Sequence, residues 1–417
     1  MRILVITNYY PPVELGGWEQ LTRDVVDRLS TRDHQIIILT SDYKKSTITE
    51  TSSNIHRVLH LESSDPFHYH PITSILSGPQ ERENIAYLER TVLEFCPAII
   101  FINGMWNLPV SIAKNAERLL PNRVIYYMAS YWPTEDDAHT AYWSSPAESH
   151  ITNYLKQLVG DRIKRSFLNG SPRNQLEFHM VLCVSKFVQD IMVSQAGIPL
   201  DRTRIVHNGI DINLFKVKLA YSLGKEIRLL YAGRLAPEKG VHTIIESLAR
   251  LRNVSNLPGY KLSIYGHGNQ EYEHRLHSLI TDNQLSGWVE FKGLVPHETM
   301  PDILAQNDIL VFPSIWAEPL ARVVQEAMAC GLVVIGTHTG GTSEILVDRE
   351  NGLVFEAENS CMLAEKIELL SRDDILRQRL SMAARHTVKT GFSLDRMVDQ
   401  IETAFNEIVV SSEQIFG

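Results

Sequence analysis

The sequence predicts an α/β protein built of two parallel sheets in tandem, each covered by helices. Short, nearly continuous apolar runs alternate with stretches of helical three-and-four spacing, the pattern of strands buried on both faces. The alternation restarts near Ile227 after a polar, turn-rich stretch. The length agrees, since 417 residues make about 2.8 domains of roughly 150 residues.

Taken in order, Arg2 to Asn8 reads as a strand stopped by Tyr-Tyr-Pro-Pro, and Trp18 to Leu29 as the helix that follows. Further strands are predicted at Gln35 to Thr40, Ala98 to Asn103, Arg123 to Met128 and Met180 to Val184. Helices are expected at Ile85 to Glu94 and Lys186 to Gln195. The second set comprises IRLLYAG from Ile227, a helix from Val241 to Arg252, KLSIYGHG, a helix from Glu271 to Asn283, VEFKG, DILVFPS, a helix near Ala321 to Cys330, and LVVIGT. The break falls in His207 to Gly224, where NGID supplies turn chemistry, so the expected domains are 1–207 and 208–392. A last helix, from about Ser393 to Val409, follows the terminal βα pattern, and periodicity leaves its place open.

With 44% hydrophobic and 21% charged residues the chain reads as a soluble globular protein, and its net charge of -9 argues against a nucleic-acid partner. Cys96, Cys183, Cys330 and Cys361 lie far apart in mostly apolar surroundings, which predicts buried free thiols in a reducing compartment, the cytosol. The opening MRILVITNYYPP lacks the length and flanks of a signal peptide, and no uninterrupted apolar run reaches 18 residues, so membrane contact is expected to be peripheral only. A candidate for such contact at the inner face of the plasma membrane is Tyr154 to Leu168, with Leu155, Leu158, Val159, Ile163 and Phe167 at helical spacing among Lys156, Arg162, Lys164 and Arg165. A buried scaffold helix explains the same apolar pattern, and Gly160 lowers helix propensity.

Open α/β sheets present ligands at the carboxyl ends of their strands, and four motifs lie there. In GGWEQ, Gly16 and Gly17 allow close backbone approach at a helix start, where free amides favour a phosphate; a plain tight turn is the competing reading. In YAGRLAPEKG, Gly233 and Arg234 end a strand and Lys239 opens a helix, so two cations could grip a pyrophosphate; solvated surface charge is the alternative. In WAEPLARVVQEAMACG, Glu318 precedes a helix and Glu326 lies eight positions later within it, about 12 Å of rise, so the two carboxylates can share a face but cannot touch the same atom. Two carboxylates so spaced could meet a sugar and a ribose, and the small-residue helix implies burial, on which Glu326 needs a partner. In THTGGTSEI, Gly340, Gly341 and Thr342 could hold a phosphate, and Glu344 could cap a helix or pair with an arginine. Gly266 and His267 of SIYGHG complete the rim, His267 as wall or catalyst. No H-E-x-x-H, paired cysteines or G-x-S-x-G elbow is present, so neither a metal site nor nucleophilic hydrolysis is predicted.

These motifs, with NGID at Asn208 to Asp211, closely resemble the retaining glycosyltransferases of family 4, and the resemblance spans essentially the whole chain. It implies the GT-B fold, two Rossmann-like parallel-sheet domains facing a central cleft, with the C-terminal helix completing the first domain. By resemblance, Arg234 and Lys239 would hold the donor diphosphate, Glu318 the transferred sugar and Glu326 the ribose. Leu320, Ala321 and Arg322 would line the same donor site, Val295 would place the base through its backbone, and Gly16 with Gly17 would close over the phosphate. The implied reaction moves a hexose from a nucleotide sugar, UDP-glucose in the first instance, onto a glycan or lipid-linked glycan, with no cofactor required and the chain a monomer or weak oligomer. The leading polysaccharide-building reading is weighed against an epimerase or phosphorylase of similar build and an inactive nucleotide-sugar-binding relative.

One departure from the family stands out. Many relatives carry a His-Asp pair where YYMASYWP places Ala129 and Ser130, and short side chains cannot replace an imidazole and a carboxylate. Tyr131, Trp132, Glu135 and Asp136 are the nearby groups that could supply other contacts.

Overall fold

The computed structural model describes residues 1–48, 52–63, 78–134, 176–217, 226–252, 254 and 259–416. The chain divides into two compact units, one formed by Met1–Val206 with Val398–Gly417 and the other by His207–Met397.

The first unit is a seven-stranded sheet of β1 (Arg2–Ile6), β2 (Gln35–Ser41), β3 (Ile55–Leu59), β4 (Ile99–Ile102), β5 (Val124–Met128), β6 (Met180–Cys183) and β7 (Thr203–Ile205). The strands run parallel in the order β3-β2-β1-β4-β5-β6-β7. Central β1 shows why: Ile3, Leu4, Val5 and Ile6 are fully buried, so both faces of the strand require cover. That cover includes α1 (Gly17–Ser30), α2 (Gly78–Phe95), α3 (Val110–Leu119) and α4 (Lys186–Ser194). The aromatic pair in β5 is buried with its hydroxyls satisfied, Tyr126 donating to Glu117 at 2.8 Å and Tyr127 to the carbonyl of Val206 at 3.0 Å.

The second unit holds six parallel strands, β8 (Glu226–Ala232), β9 (Gly259–Tyr265), β10 (Val289–Gly293), β11 (Ile309–Phe312), β12 (Val333–Thr337) and β13 (Leu353–Phe355), in the order β10-β9-β8-β11-β12-β13. Its helices are α5 (Val241–Leu251), α6 (Gln270–Asp282), α7 (Met300–Gln306), α8 (Arg322–Cys330), α9 (Ser360–Arg372) and α10 (Asp374–Gly391). Leu229, Leu262, Ile309, Val333 and Leu353 from the sheet and Ile244 from α5 share its core. Near its lower boundary the NGID turn pairs with the far end of the unit, Ile210 N donating to Phe392 O at 3.1 Å and Leu394 N to Ile210 O at 2.9 Å.

The last helix, α11 (Leu394–Phe416), begins in the second unit and continues in the first. There Val398, Ile401, Ala404 and Phe405 are fully buried, and Phe405 stands edge-on to Phe101 of β4 with centroids 5.2 Å apart. Arg32 reaches Asp399 and Glu402 at 2.6 and 2.5 Å, and His34 reaches Glu402 at 2.8 Å. These partly exposed ion pairs set orientation, while the apolar face supplies most of the binding energy.

Two readings of the sequence are corrected. Of the four free cysteines only Cys183 and Cys330 are buried; Cys96 and Cys361 are exposed, because they sit at the end of α2 and in the first turn of α9 rather than in a strand or a packed helix face. Strands β3, β7 and β13 and helices α3, α7, α9 and α10 also exist beyond those singled out from periodicity. The basic stretch from Tyr154 to Leu168, with Glu135 and Asp136, lies outside the described residues, among which no helix is long and apolar enough to cross a membrane.

Phe405→Ala is expected to lower the unfolding free energy by about 3–5 kcal/mol, the cost of emptying a packed aromatic site. Urea titration of the variant against the parent measures it, and a change below 1 kcal/mol would show that α11 contributes little to the first unit.

Candidate active site

In each sheet the chain leaves a central pair of neighbouring strands in opposite directions. These switch points fall between β1 and β4 in the first unit and between β8 and β11 in the second, and ligand-binding loops gather at such places.

In the second unit, the loops after β8 and β11 are joined through their backbones. Gly240, at φ 68° between a short turn and α5, lies where an added Cβ would come within 2.1 Å of the carbonyl oxygen of Pro313. Alongside it, the amides of Ile315 and Trp316 both donate to the carbonyl of Glu238 at 2.9 Å. This junction brings Lys239 from one loop against Glu318 from the other, Nζ to Oε1 at 2.5 Å. Ser314 Oγ donates to the same carboxylate oxygen at 3.1 Å, and Thr337 Oγ1 donates to the carbonyl of Ser314 at 2.6 Å. The β12 loop joins in through Gly341, whose amide donates to Glu318 O at 2.8 Å.

Arg234 stands nearer solvent. Tyr231 OH donates to its carbonyl at 2.8 Å, and its guanidinium reaches Glu238 at 2.9 Å. An ion pair this exposed is worth little, so Arg234 can exchange Glu238 for a stronger anion at small cost. Gly233 is fixed by Gly266, whose φ of 125° places a would-be Cβ 1.9 Å from the carbonyl oxygen of Gly233. His267, next in line, is mostly exposed, 3.5 Å from Glu273, a position at the rim.

Glu326 has a different setting. It is 4% exposed on α8, and two donors converge on Oε1, Arg322 Nε and His297 Nε2, each at 3.0 Å. Burial pushes its carboxyl up, but the His297 hydrogen bond and the charge of Arg322 outweigh it and hold Glu326 below the ordinary carboxylate range. Among the described residues Oε2 accepts no hydrogen bond. The adjacent Gln325 is wholly buried and donates to the backbone carbonyl of Asn208 at 2.8 Å, which ties NGID to this helix. Leu320 and Ala321 are buried in the run into α8, and Val295 is half-buried in the connection from β10 to α7.

The structure corrects several expectations here. Glu318 lies in the loop four residues ahead of α8, so the helical rise does not set its separation from Glu326. Glu344 pairs with His207 at 2.9 Å, a partner the sequence reading did not name. Lys239 and Arg234 each pair with a carboxylate, Glu318 and Glu238 respectively. His297, His207 and Ser314 were not singled out from the sequence. His207 directly precedes NGID and His297 follows Val295 by two residues, but only tertiary approach gives either its partner.

The first unit has its own cluster. Asn8, after β1, donates from Nδ2 to the carbonyl of Trp106, after β4, at 3.0 Å. Trp18 stacks on Tyr127 with centroids 5.8 Å apart and Trp132 on Tyr126 at 6.3 Å, and these rings line a small pocket with Gly104 and Ser130. Aromatic walls thus flank Ser130, whose Oγ accepts the amide of Trp132 at 3.4 Å, while Tyr131 packs against Phe187. Gly16 has an extended backbone at φ -168° and open space around its Cβ position, so neither strain nor packing calls for glycine there. Its amide is not free: it donates to Glu19 Oε2 at 3.1 Å, one half of a capping box, since glycine has no side chain to accept in return. Gly17 opens α1 and is exposed. Glu19 is also 4% exposed, and burial pushes its carboxyl up to about 7 against the pull of the amides of Glu19, Gly16 and Leu15.

Comparison with known proteins accords with this geometry. Residues 15–214 match the family described as Glycosyltransferase Family 4, and residues 219–387 the family described as Glycosyl transferases group 1. Only the two ends and 215–218 are left unmatched. The chain therefore belongs to the glycosyltransferases of GT-B fold. It is 24% identical to the uncharacterized glycosyltransferase MJ1607 of Methanocaldococcus jannaschii over 96% of each chain. It is 26% identical to spore coat protein SA of Bacillus subtilis over 54% of this chain, and so spans only 64% of that relative's length. Among solved structures, HepE of Anabaena in complex with UDP-glucose shares the fold at a TM-score of 0.71, with 22% identity over 98% of this chain and 100% of that one.

Glu19 makes a test of pH dependence. The folded protein holds its proton up to about pH 7, whereas an unperturbed glutamate releases it near 4.5, so the native state binds more protons between those values and stability falls as pH rises through them. Glu19→Gln keeps the cap and removes the ionisation. Relative to the parent, the variant should gain about 2–3 kcal/mol of stability between pH 5 and pH 8 in urea titrations. A difference that does not change with pH would refute the burial argument.

Proposed function

We propose that this chain is a retaining hexosyltransferase that moves glucose from UDP-glucose onto a glycan or lipid-linked glycan, without a metal ion. The observation that carries the reading is the Lys239–Glu318 pair at the switch point between β8 and β11, with Arg234 held beside it by an exchangeable ion pair. The reading is supported by the family matches and by the UDP-glucose complex of HepE.

In this account Lys239 and Arg234 bind the donor diphosphate. Glu318, fixed by Lys239 and Ser314, contacts the transferred sugar, and Glu326 accepts from the ribose hydroxyls through Oε2. Val295 meets the base through its backbone, with Leu320, Ala321 and Arg322 at the start of α8 completing the donor site.

As the bond from C1 to the phosphate oxygen breaks, an oxocarbenium-like centre forms and negative charge grows on the diphosphate. The two cations are placed to stabilise that charge more strongly than the ground state. The acceptor hydroxyl then attacks C1 from the face the diphosphate leaves and passes its proton to a diphosphate oxygen. No protein carboxylate is needed as nucleophile, in contrast to the two-carboxylate scheme of retaining glycosidases.

Two measurements test this. Lys239→Ala should slow single-turnover transfer on the order of a hundredfold, about 3 kcal/mol, while uridine affinity changes little. A large loss of uridine affinity with an unchanged chemical step would contradict the role. Turnover of UDP-glucose in excess chelator should equal that in its absence, and activity that vanishes and returns with a divalent ion would overturn the metal-free scheme.

A further inference from the structure

We infer that His297 is a positioning residue that fixes the Glu326 carboxylate for a ribonucleoside and so couples the ribose contact to the loop that meets the base. The inference rests on the donor-site reading above and deepens it. Glu326 is buried, and a buried carboxylate persists only where donors hold it. Its two donors come from different elements, Arg322 from one turn earlier on the same helix and His297 from the connection between β10 and α7. Both land on Oε1. A carboxylate gripped twice at one oxygen has its plane set, and the second oxygen is then presented in a fixed direction with its accepting capacity unspent. A vicinal diol, with two adjacent hydroxyl donors, is the chemistry that suits such an acceptor.

The connection bearing His297 is stiff. Pro296 locks its own φ at -58°, and its carbonyl accepts both the amide of Thr299 at 3.0 Å and the Thr299 hydroxyl at 2.7 Å. Buried Met300 anchors the turn where α7 begins. Because the partner of His297 Nε2 is a carboxylate, that nitrogen carries the hydrogen. The imidazole thus fastens one end of a rigid turn to Glu326, and Val295 sits two residues back on the same stretch. Movement of the base loop and movement of the diol acceptor become one event.

The test is calorimetric titration of the full chain with UDP, with 2′,3′-dideoxy-UDP and with inorganic pyrophosphate. His297→Ala should weaken UDP about tenfold, erase most of the preference for UDP over the dideoxy compound, and leave pyrophosphate affinity unchanged. His297→Gln, which restores an N–H donor, should recover most of the loss. In combination with Glu326→Gln the His297→Ala loss should largely disappear, since the two side chains act through one contact. Equal weakening of UDP and pyrophosphate would show a general structural role and overturn the inference, as would a His297→Ala protein that keeps the full dideoxy discrimination. If the parent chain binds no UDP, the donor-site reading fails and this inference with it; UDP binding that ignores His297 overturns this inference alone.

Discussion

Lys239 and Glu318 lie on loops that leave neighbouring strands in different directions, and they meet because Gly240 lets one loop rest on the carbonyl of Pro313. That backbone junction is the constraint on which the rest of the second unit's ligand-facing edge depends. It sets where Glu238 can accept two amides, and thereby where Ser314 and Thr337 stand. A side chain at position 240 would force the two loops apart and separate the ion pair, whatever its own chemistry. The glycine acts through the approach it permits rather than by touching a phosphate.

Two equally buried glutamates show how surroundings decide ionisation. Glu19 is held by backbone amides alone, and burial prevails, carrying its carboxyl to about 7. Glu326 has a guanidinium and an imidazole, and they prevail over burial. The first is a cap whose charge is costly; the second is a charge kept ready. Burial by itself therefore says nothing about which carboxylate serves a ligand, and the identity of the donors does.

Much of this architecture was legible from residue order alone, for physical reasons. Strands such as β1, β5, β11 and β12 are buried on both faces, so their sequences do not alternate and stand out as apolar runs. Strand β3 escaped because IHRVL carries His56 and Arg57, the latter buried by donating to the carbonyls of Tyr10 and Pro11. Strands β7 and β13 are three residues long, too short for any period to register. The site divides in the same way. Arg234, Lys239, Glu318 and Glu326 sit in strongly patterned motifs, whereas His297 and His207 gain meaning only from partners 29 and 137 positions away. Glu19 escaped because its N-cap is Gly16, which lacks the Ser or Thr side chain that marks a reciprocal cap three positions earlier.

The route of α11 has a consequence for how the protein is made. The second unit is one uninterrupted stretch of chain, so it can complete its core as soon as its last residues leave the ribosome. The first unit, although begun earliest, lacks the helix that covers Phe101 until Phe405 has been synthesised, some 300 positions later. Its exposed apolar face must wait until the second unit has been made, the reverse of the usual order in which the earlier domain folds first. A chain stalled before Val398 would carry a finished second unit beside a first unit still in need of a partner, and would be a natural target for chaperones that recognise uncovered hydrophobic surface.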